Sequence, residues 1–160
     1  GAVELPHDLD EFVFITSDAQ LLRFPACAVR PQGRSGGGMA GIRLSAGARV
    51  VHFGVSAIAD ASVVTVAGSS SALPGTDAGS VKVTPLAEYP GKGRATAGVR
   101  CQRFLKGEDV LLLAWAGADP AIAAAASGSP IDLPAVDPRR DGSGTPATQP
   151  IAAVGSRYHS

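Results

Sequence analysis

The chemistry this chain offers is cationic. Arg30, Arg34, Arg43, Arg49, Lys92, Arg94, Arg100, Arg103, Arg139 and Arg140 stand in or beside glycine-rich stretches. The densest is Arg30 to Leu44, RPQGRSGGGMAGIRL. A guanidinium presents a planar fork of donors that matches a phosphate, and glycine leaves backbone N–H groups open to join it. A weaker copy follows sixty residues on. Gly33-Arg34 matches Gly93-Arg94, Gly38 matches Gly98, Met39 matches Val99, and Arg43 matches Arg103. The flanks keep the offset, Gly47-Ala48-Arg49-Val50-Val51 against Gly107-Glu108-Asp109-Val110-Leu111. Arg139-Arg140-Asp141-Gly142-Ser143-Gly144 reads as a third, decayed copy. Phosphate binding is one reading of these residues. The other is that Arg34 and Arg94 donate to carbonyls of their own loops, and both can hold together.

Other chemistries find no support. Gly36 to Gly41 fits GxGxxG with Asp60 further on, but a dinucleotide site needs those glycines between a strand and a helix. Arg30-Pro31-Gln32 precedes them, and Ile42-Arg43-Leu44 followed by Gly47 is no helix. His7, His52 and His159 are scattered without metal-ligand spacing. No serine or aspartate sits in a nucleophile elbow, and nothing surrounds Tyr89 or Tyr158 that would activate a phenol. Neither a catalytic constellation nor a cofactor or metal site is expected. Cys27 and Cys101 lack CxxC spacing and read as reduced thiols.

Net charge is zero over 160 residues, yet the charges are segregated. Residues 1–18 carry Glu4, Asp8, Asp10, Glu11 and Asp18 and no base; residues 19–59 carry Arg23, Arg30, Arg34, Arg43 and Arg49 and no acid. Residues 82–107 set Lys82, Lys92, Arg94, Arg100, Arg103 and Lys106 against Glu88 alone. Such separation can build a basic face on a neutral protein. The opening Gly1-Ala2-Val3-Glu4 does not read as a secretory signal. The longest apolar run, Val110 to Ala118, is too short to span a bilayer, so no membrane partner is expected.

The elements that position these residues read as short strands. Abundant glycine and proline imply many turns and little helix. Phe12 to Thr16 is aromatic and β-branched, Leu21 to Phe24 returns as its hairpin partner, and Pro25 to Gly41 is a loop. A third strand is expected from Met39 through Leu44 and a fourth over Arg49 to Val55. The pattern restarts at Val63 to Ala67, with a mobile loop over Gly68 to Gly79. Val81 to Val83, Val99 to Leu105 and Val110 to Ala116 complete the second unit. The last of these has no polar alternation and is expected to be buried on both faces. Ala121 to Ser127 suits a helical turn by propensity, but its place in the repeat favours a strand. Pro130 to Leu133 and Ile151 to Val154 follow, and Gly155 to Ser160 is expected to fray. The fold class is therefore all-β, with propeller-like blades of four short antiparallel strands in about three repeats, 11–58, 62–117 and 120–155, forming one domain.

Phe12-Val13-Phe14-Ile15-Thr16-Ser17-Asp18, Leu22-Arg23-Phe24, Arg30-Pro31-Gln32-Gly33-Arg34 and Gly38 to Leu44 together resemble a repeat of the C-terminal domain of the DNA gyrase and topoisomerase IV A subunits. Tyr89 to Arg100 resembles the next repeat, and the likeness covers nearly the whole chain. It implies a β-pinwheel whose basic rim wraps duplex DNA without sequence specificity. The implied partners are that DNA, the remainder of the topoisomerase A subunit, plus its B subunit, in the bacterial cytoplasm at the nucleoid. Catalytic tyrosine, ATPase and metal-binding domain would lie in other regions or subunits, so no cofactor is implied here. A family domain has about six blades, and this chain resembles the last three. The gyrase box Gln-Arg-Arg-Gly-Gly-Lys-Gly is replaced by Gln32-Gly33-Arg34-Ser35-Gly36-Gly37-Gly38. That departure favours a topoisomerase IV-like or weaker wrapper. The rival reading is a propeller that binds protein, and salt-sensitive affinity for a polyanion separates the two.

Overall fold

The computed structural model describes residues 11–25, 42, 44–56, 61–71, 78–92, 96–118, 121–147 and 149–156. Its strands are β1 (Glu11–Thr16), β2 (Gln20–Pro25), β3 (Val50–Ser56), β4 (Ala61–Gly68), β5 (Ser80–Pro85), β6 (Val99–Arg100), β7 (Val110–Ala118), β8 (Ala121–Ala124), β9 (Pro130–Ile131), β10 (Thr145–Pro146) and β11 (Ala153–Ser156). A 3-10 turn at Leu86–Glu88 is the helical element among the described residues. No helix there is long and apolar enough to cross a membrane.

Three antiparallel sheets form, in the orders β3-β1-β2-β6, β10-β5-β4-β7 and β11-β8-β9. The β1–β2 hairpin turns at Ser17 to Ala19, with Ala19 at a φ of 62°. In the first two sheets the outermost strand is contributed from further along the chain. Val99 pairs with Leu21 and Arg100 with Gln20, while Thr145 pairs with Val81 and Pro146 with Ser80. This differs from the expectation of four strands supplied by each unit for itself. Gly98 makes the first donation possible: its φ is 77°, and a Cβ there would lie 2.3 Å from the Leu21 carbonyl oxygen. Only a glycine lets the backbones approach that closely.

The donated strand is also shorter than the expected Val99 to Leu105. Beyond Cys101, whose N–H donates to the Ala19 carbonyl, the chain leaves the ladder. The Gln102 side chain then turns to the Ser80 hydroxyl at 3.2 Å, and Arg103 forms an isolated parallel bridge with Ser143. Ile42 and Leu44 are not in a strand; Met39 to Gly41 and Arg43 lie outside the described residues.

The core has two layers. Val13, Ile15 and Leu21 of the first sheet pack on Ala61, Val63, Leu111, Ala114 and Ala116 of the second. The opposite face of the second sheet, Val64, Val66, Val81 and Val83, packs against Leu133, Ile151 and Val154. Strand β4 lies between the layers and is buried along its whole length. Its small and β-branched residues, ASVVTVAG, suit a strand covered on both sides. Strand β7, expected to be covered in that way, lies at the edge of its sheet instead, and Leu112 is 40% exposed. The alanine-rich stretch takes the strand form its position favoured, as β8.

Candidate nucleic-acid interface

The first two sheets meet around one hairpin turn. The Ser17 N–H donates to the Arg49 carbonyl, its hydroxyl accepts from the Arg49 N–H at 3.0 Å, and its carbonyl accepts from the Leu111 N–H. Arg49 thereby stands at the β3 edge of the first sheet, and Arg100 on β6 at the opposite edge of the same end. Three strand spacings separate these edges, about 14 Å. Both side chains are exposed.

Lys92 lies further along the outer edge of β2. Its N–H donates to the Arg23 carbonyl at 3.1 Å, three residues from the Gln20 that pairs with Arg100, or about 10 Å along the strand. Arg103 is exposed one unit on, its N–H bonded to the Gly142 carbonyl. The turn that bears Arg139 and Arg140 closes through a bond from the Gly142 N–H to the Arg139 carbonyl. Lys92, Arg100 and Arg103 thus follow the strand that the second unit lays on the first and its continuation toward the third. Among the described residues, no acid forms an ion pair with Arg49, Lys92, Arg100 or Arg103.

Arg139 differs. Its Nε and Nη2 reach the Asp137 carboxylate at 3.2 and 3.3 Å, and its N–H donates to the same group at 2.9 Å. Backbone and side-chain bonds from Arg139 hold the Asp137 carboxyl below its usual range. This guanidinium is exposed but already paired with an acid, while Arg140 is half-buried beside it. Acids also flank the Arg49 end: an open hollow there is lined by Asp18 and Asp109 together with Ser17, Gly47 and Ser70. Asp109 accepts from the Ser70 N–H and hydroxyl, and those bonds depress its carboxyl. Arg30, Arg34, Arg43 and Arg94 lie outside the described residues.

Behind the Lys92 segment lies a buried polar cluster that sequence reasoning did not single out. The Lys82 ammonium donates to the Thr84 hydroxyl at 2.5 Å, and to the Tyr89 hydroxyl and the Cys101 carbonyl at 3.3 Å each. Tyr89 is wholly buried, and its hydroxyl also donates to the Cys101 carbonyl. Burial lowers the Lys82 pKa to about 8 and pushes the Cys101 thiol up to about 12. Cys101 is therefore a protonated, unreactive free thiol; Cys27 lies outside the described residues. No group of histidine, cysteine and carboxylate ligands that could hold a metal occurs among the described residues.

A profile of the family described as "DNA gyrase C-terminal domain, beta-propeller" matches residues 10–57 and 75–113, more than half of the 160 residues. Among curated proteins, the chain is 37% identical over 101 residues to the topoisomerase subunit TopoM of Mycolicibacterium smegmatis, covering 62% of this chain and 13% of that protein. It is 35% identical over 97 residues to the DNA gyrase A subunit of Escherichia coli, covering 61% of this chain and 10% of that protein. The chain thus spans roughly a tenth of the curated relatives it matches. Among solved structures, the C-terminal domain of DNA topoisomerase IV superposes with a TM-score of 0.70 at 19% identity, covering 92% of this chain and 46% of that one. The E. coli ParC C-terminal domain gives 0.66 at 17% identity, covering 93% and 61%. These likenesses show the β-pinwheel fold. With its three antiparallel sheets and its sequence match, this chain belongs to the DNA gyrase C-terminal domain family.

Proposed function

We propose that this chain binds duplex DNA without base specificity and presents it to a catalytic core carried elsewhere in a type II topoisomerase. The observation that carries the reading is the run of exposed Lys92, Arg100 and Arg103 along the donated strand and the segments that flank it, with no ion-pairing acid among the described residues. Guanidinium and ammonium groups spaced along an edge suit successive phosphates, which fix position and carry no sequence information. Arg49 extends the surface across the first sheet. Arg30, Arg34, Arg43 and Arg94 join it by their place in the repeat; Arg139, paired with Asp137, and the half-buried Arg140 contribute least. The units 11–58, 62–117 and 120–155 act as blades of a topoisomerase IV-like wrapper. They work with the rest of the A subunit, plus a B subunit, in the bacterial cytoplasm.

The test is fluorescence anisotropy with labelled duplexes of unrelated sequence in low salt. Comparable affinities across sequences, with no relaxation of supercoiled plasmid by the chain alone, are expected. Absence of binding would leave a protein-interaction role ahead.

A further inference from the structure

We propose that Arg23 is a positioning residue, held by Glu11, that fixes Lys92 for contact with a polyanion. The inference rests on the DNA-binding reading and adds a specific device to it.

Arg23 stands on β2 with a side chain 14% exposed. Its Nη1 meets the Glu11 carboxylate at 2.5 Å, and Glu11 is itself 8% exposed. Its Nε donates to the Tyr89 carbonyl at 2.6 Å, while its own carbonyl accepts the Lys92 N–H at 3.1 Å. One residue therefore holds both ends of the Tyr89-Pro90-Gly91-Lys92 segment. Gly91 passes over it, where a Cβ would come within 3.7 Å of the guanidinium. Tyr89 is anchored below by its buried ring, so the segment has no free end at which to pivot. Lys92 emerges from this clamp exposed. A lysine on an ordered backbone loses less freedom when it meets a phosphate than one on a loose loop.

The junction between the second and third sheets supplies an internal contrast. There the Asp137 N–H donates to the Val83 carbonyl at 2.7 Å, again from the incoming segment to the outer edge of the acceptor strand. Valine offers no side-chain donor, and the incoming residue is an acid that turns onto Arg139. The buried clamp thus occurs at the junction where the bonded residue is a lysine.

The experiment is a thermodynamic cycle on binding of a random-sequence duplex. Arg23→Met alone would leave Glu11 buried and unpaired, so the pair is removed together as Glu11→Leu/Arg23→Met. In the parent chain, Lys92→Ala removes one phosphate contact and should weaken binding about eightfold at 0.1 M salt, with the log–log salt slope shallower by about 0.9. The double variant keeps the backbone bond from Lys92 to residue 23 but frees the Tyr89 carbonyl, so it should lose part of that eightfold, and Lys92→Ala added to it should cost clearly less than in the parent. An undiminished loss from Lys92→Ala in the double variant would overturn the proposal. Should the double variant fail to fold, Arg23→Lys keeps a charge for Glu11 but cannot also reach the Tyr89 carbonyl. It should lose binding to about the extent expected of the double variant, and unchanged binding would overturn the proposal. If Lys92→Ala costs nothing while Arg100→Ala weakens binding, the positioning role fails and DNA binding stands. If the parent chain binds no DNA at low salt, both fail.

Discussion

Replacing Lys82 by methionine should leave stability nearly unchanged, although the ammonium makes three hydrogen bonds. The residue is 2% exposed, and its three acceptors, the Thr84 and Tyr89 hydroxyls and the Cys101 carbonyl, are all uncharged. The Tyr89 ring adds a weak attraction, with the ammonium 5.6 Å from its centroid. Among the described residues, no carboxylate is bonded to the amine. Exchanging buried ionic groups for well-packed apolar ones is commonly neutral or stabilising by about 1–4 kcal/mol. Against this stands the Thr84 hydroxyl, which loses a partner at a cost of about 1–3 kcal/mol. The Tyr89 hydroxyl keeps its bond to the Cys101 carbonyl. The two terms largely offset each other, so Lys82→Met should shift stability at pH 7 by no more than about 2 kcal/mol in either direction.

The pH dependence is the sharper signature. The folded-state pKa is lowered to about 8 from 10.5 by burial. Between these values the unfolded chain binds the proton and the folded chain does not, so the Lys82 contribution to stability rises with pH across that window; above about pH 9 the raised Cys101 thiol contributes with the opposite sign. Below about 8 both states are protonated and the burial penalty stands in full. Urea titrations from pH 7 to 9, below the range in which the Cys101 thiol opposes the effect, should show the parent gaining stability and Lys82→Met lacking that gain. A variant less stable than the parent at pH 7 by more than about 2 kcal/mol, with the same rise toward pH 9, would refute the reasoning.

His52 should act at the acid end. Burial lowers its pKa to about 4 from 6.5, and its Nε2 is buried without a hydrogen-bond partner; stability should fall as pH drops from 6.5 to 4, and His52→Phe should flatten that fall in the same titration. Gly98→Ala should lower the midpoint of urea unfolding, because its φ of 77° and the Leu21 carbonyl at 2.3 Å both exclude a methyl group; a loss below about 1 kcal/mol would mean the β6 junction is loose. Asp137→Asn should free Arg139 and tighten DNA binding about two- to eightfold at 0.1 M salt with a steeper slope; unchanged affinity would place Arg139 away from the DNA path.

Local pattern made much of the fold legible. The run FVFIT, the Leu21 to Phe24 return and the valine-rich strands at 63–67 and 81–83 read as they stand, because burial on one or both faces selects β-branched and aromatic residues there. Strand exchange was not legible. Val99-Arg100 pairs with residues nearly eighty positions earlier, and nothing in its own alternation says which sheet will receive it. For the same reason the apolar run of β7 suggested full burial, whereas its place at a sheet edge left Leu112 exposed. Lys82 counted as one more surface base, since alternation in VKV sets it opposite Val81 and Val83; the first sheet covers that face as well. For the site, the exposed bases were visible as types and spacing. The Asp137 that pairs with Arg139 and the Glu11 that holds Arg23 come from contacts the repeat alignment does not contain.

The most direct measurement is the salt dependence of affinity for a duplex of arbitrary sequence. Each phosphate contact contributes a log–log slope of about −0.9. Contacts from Arg49, Lys92, Arg100 and Arg103 predict a slope of about −3.6 or steeper for the parent chain. Replacing Lys92 and Arg100 together by alanine should shallow it by about two units while the melting curve stays in place. A slope near zero, or one unmoved by the double replacement in a folded protein, would contradict DNA binding through this edge.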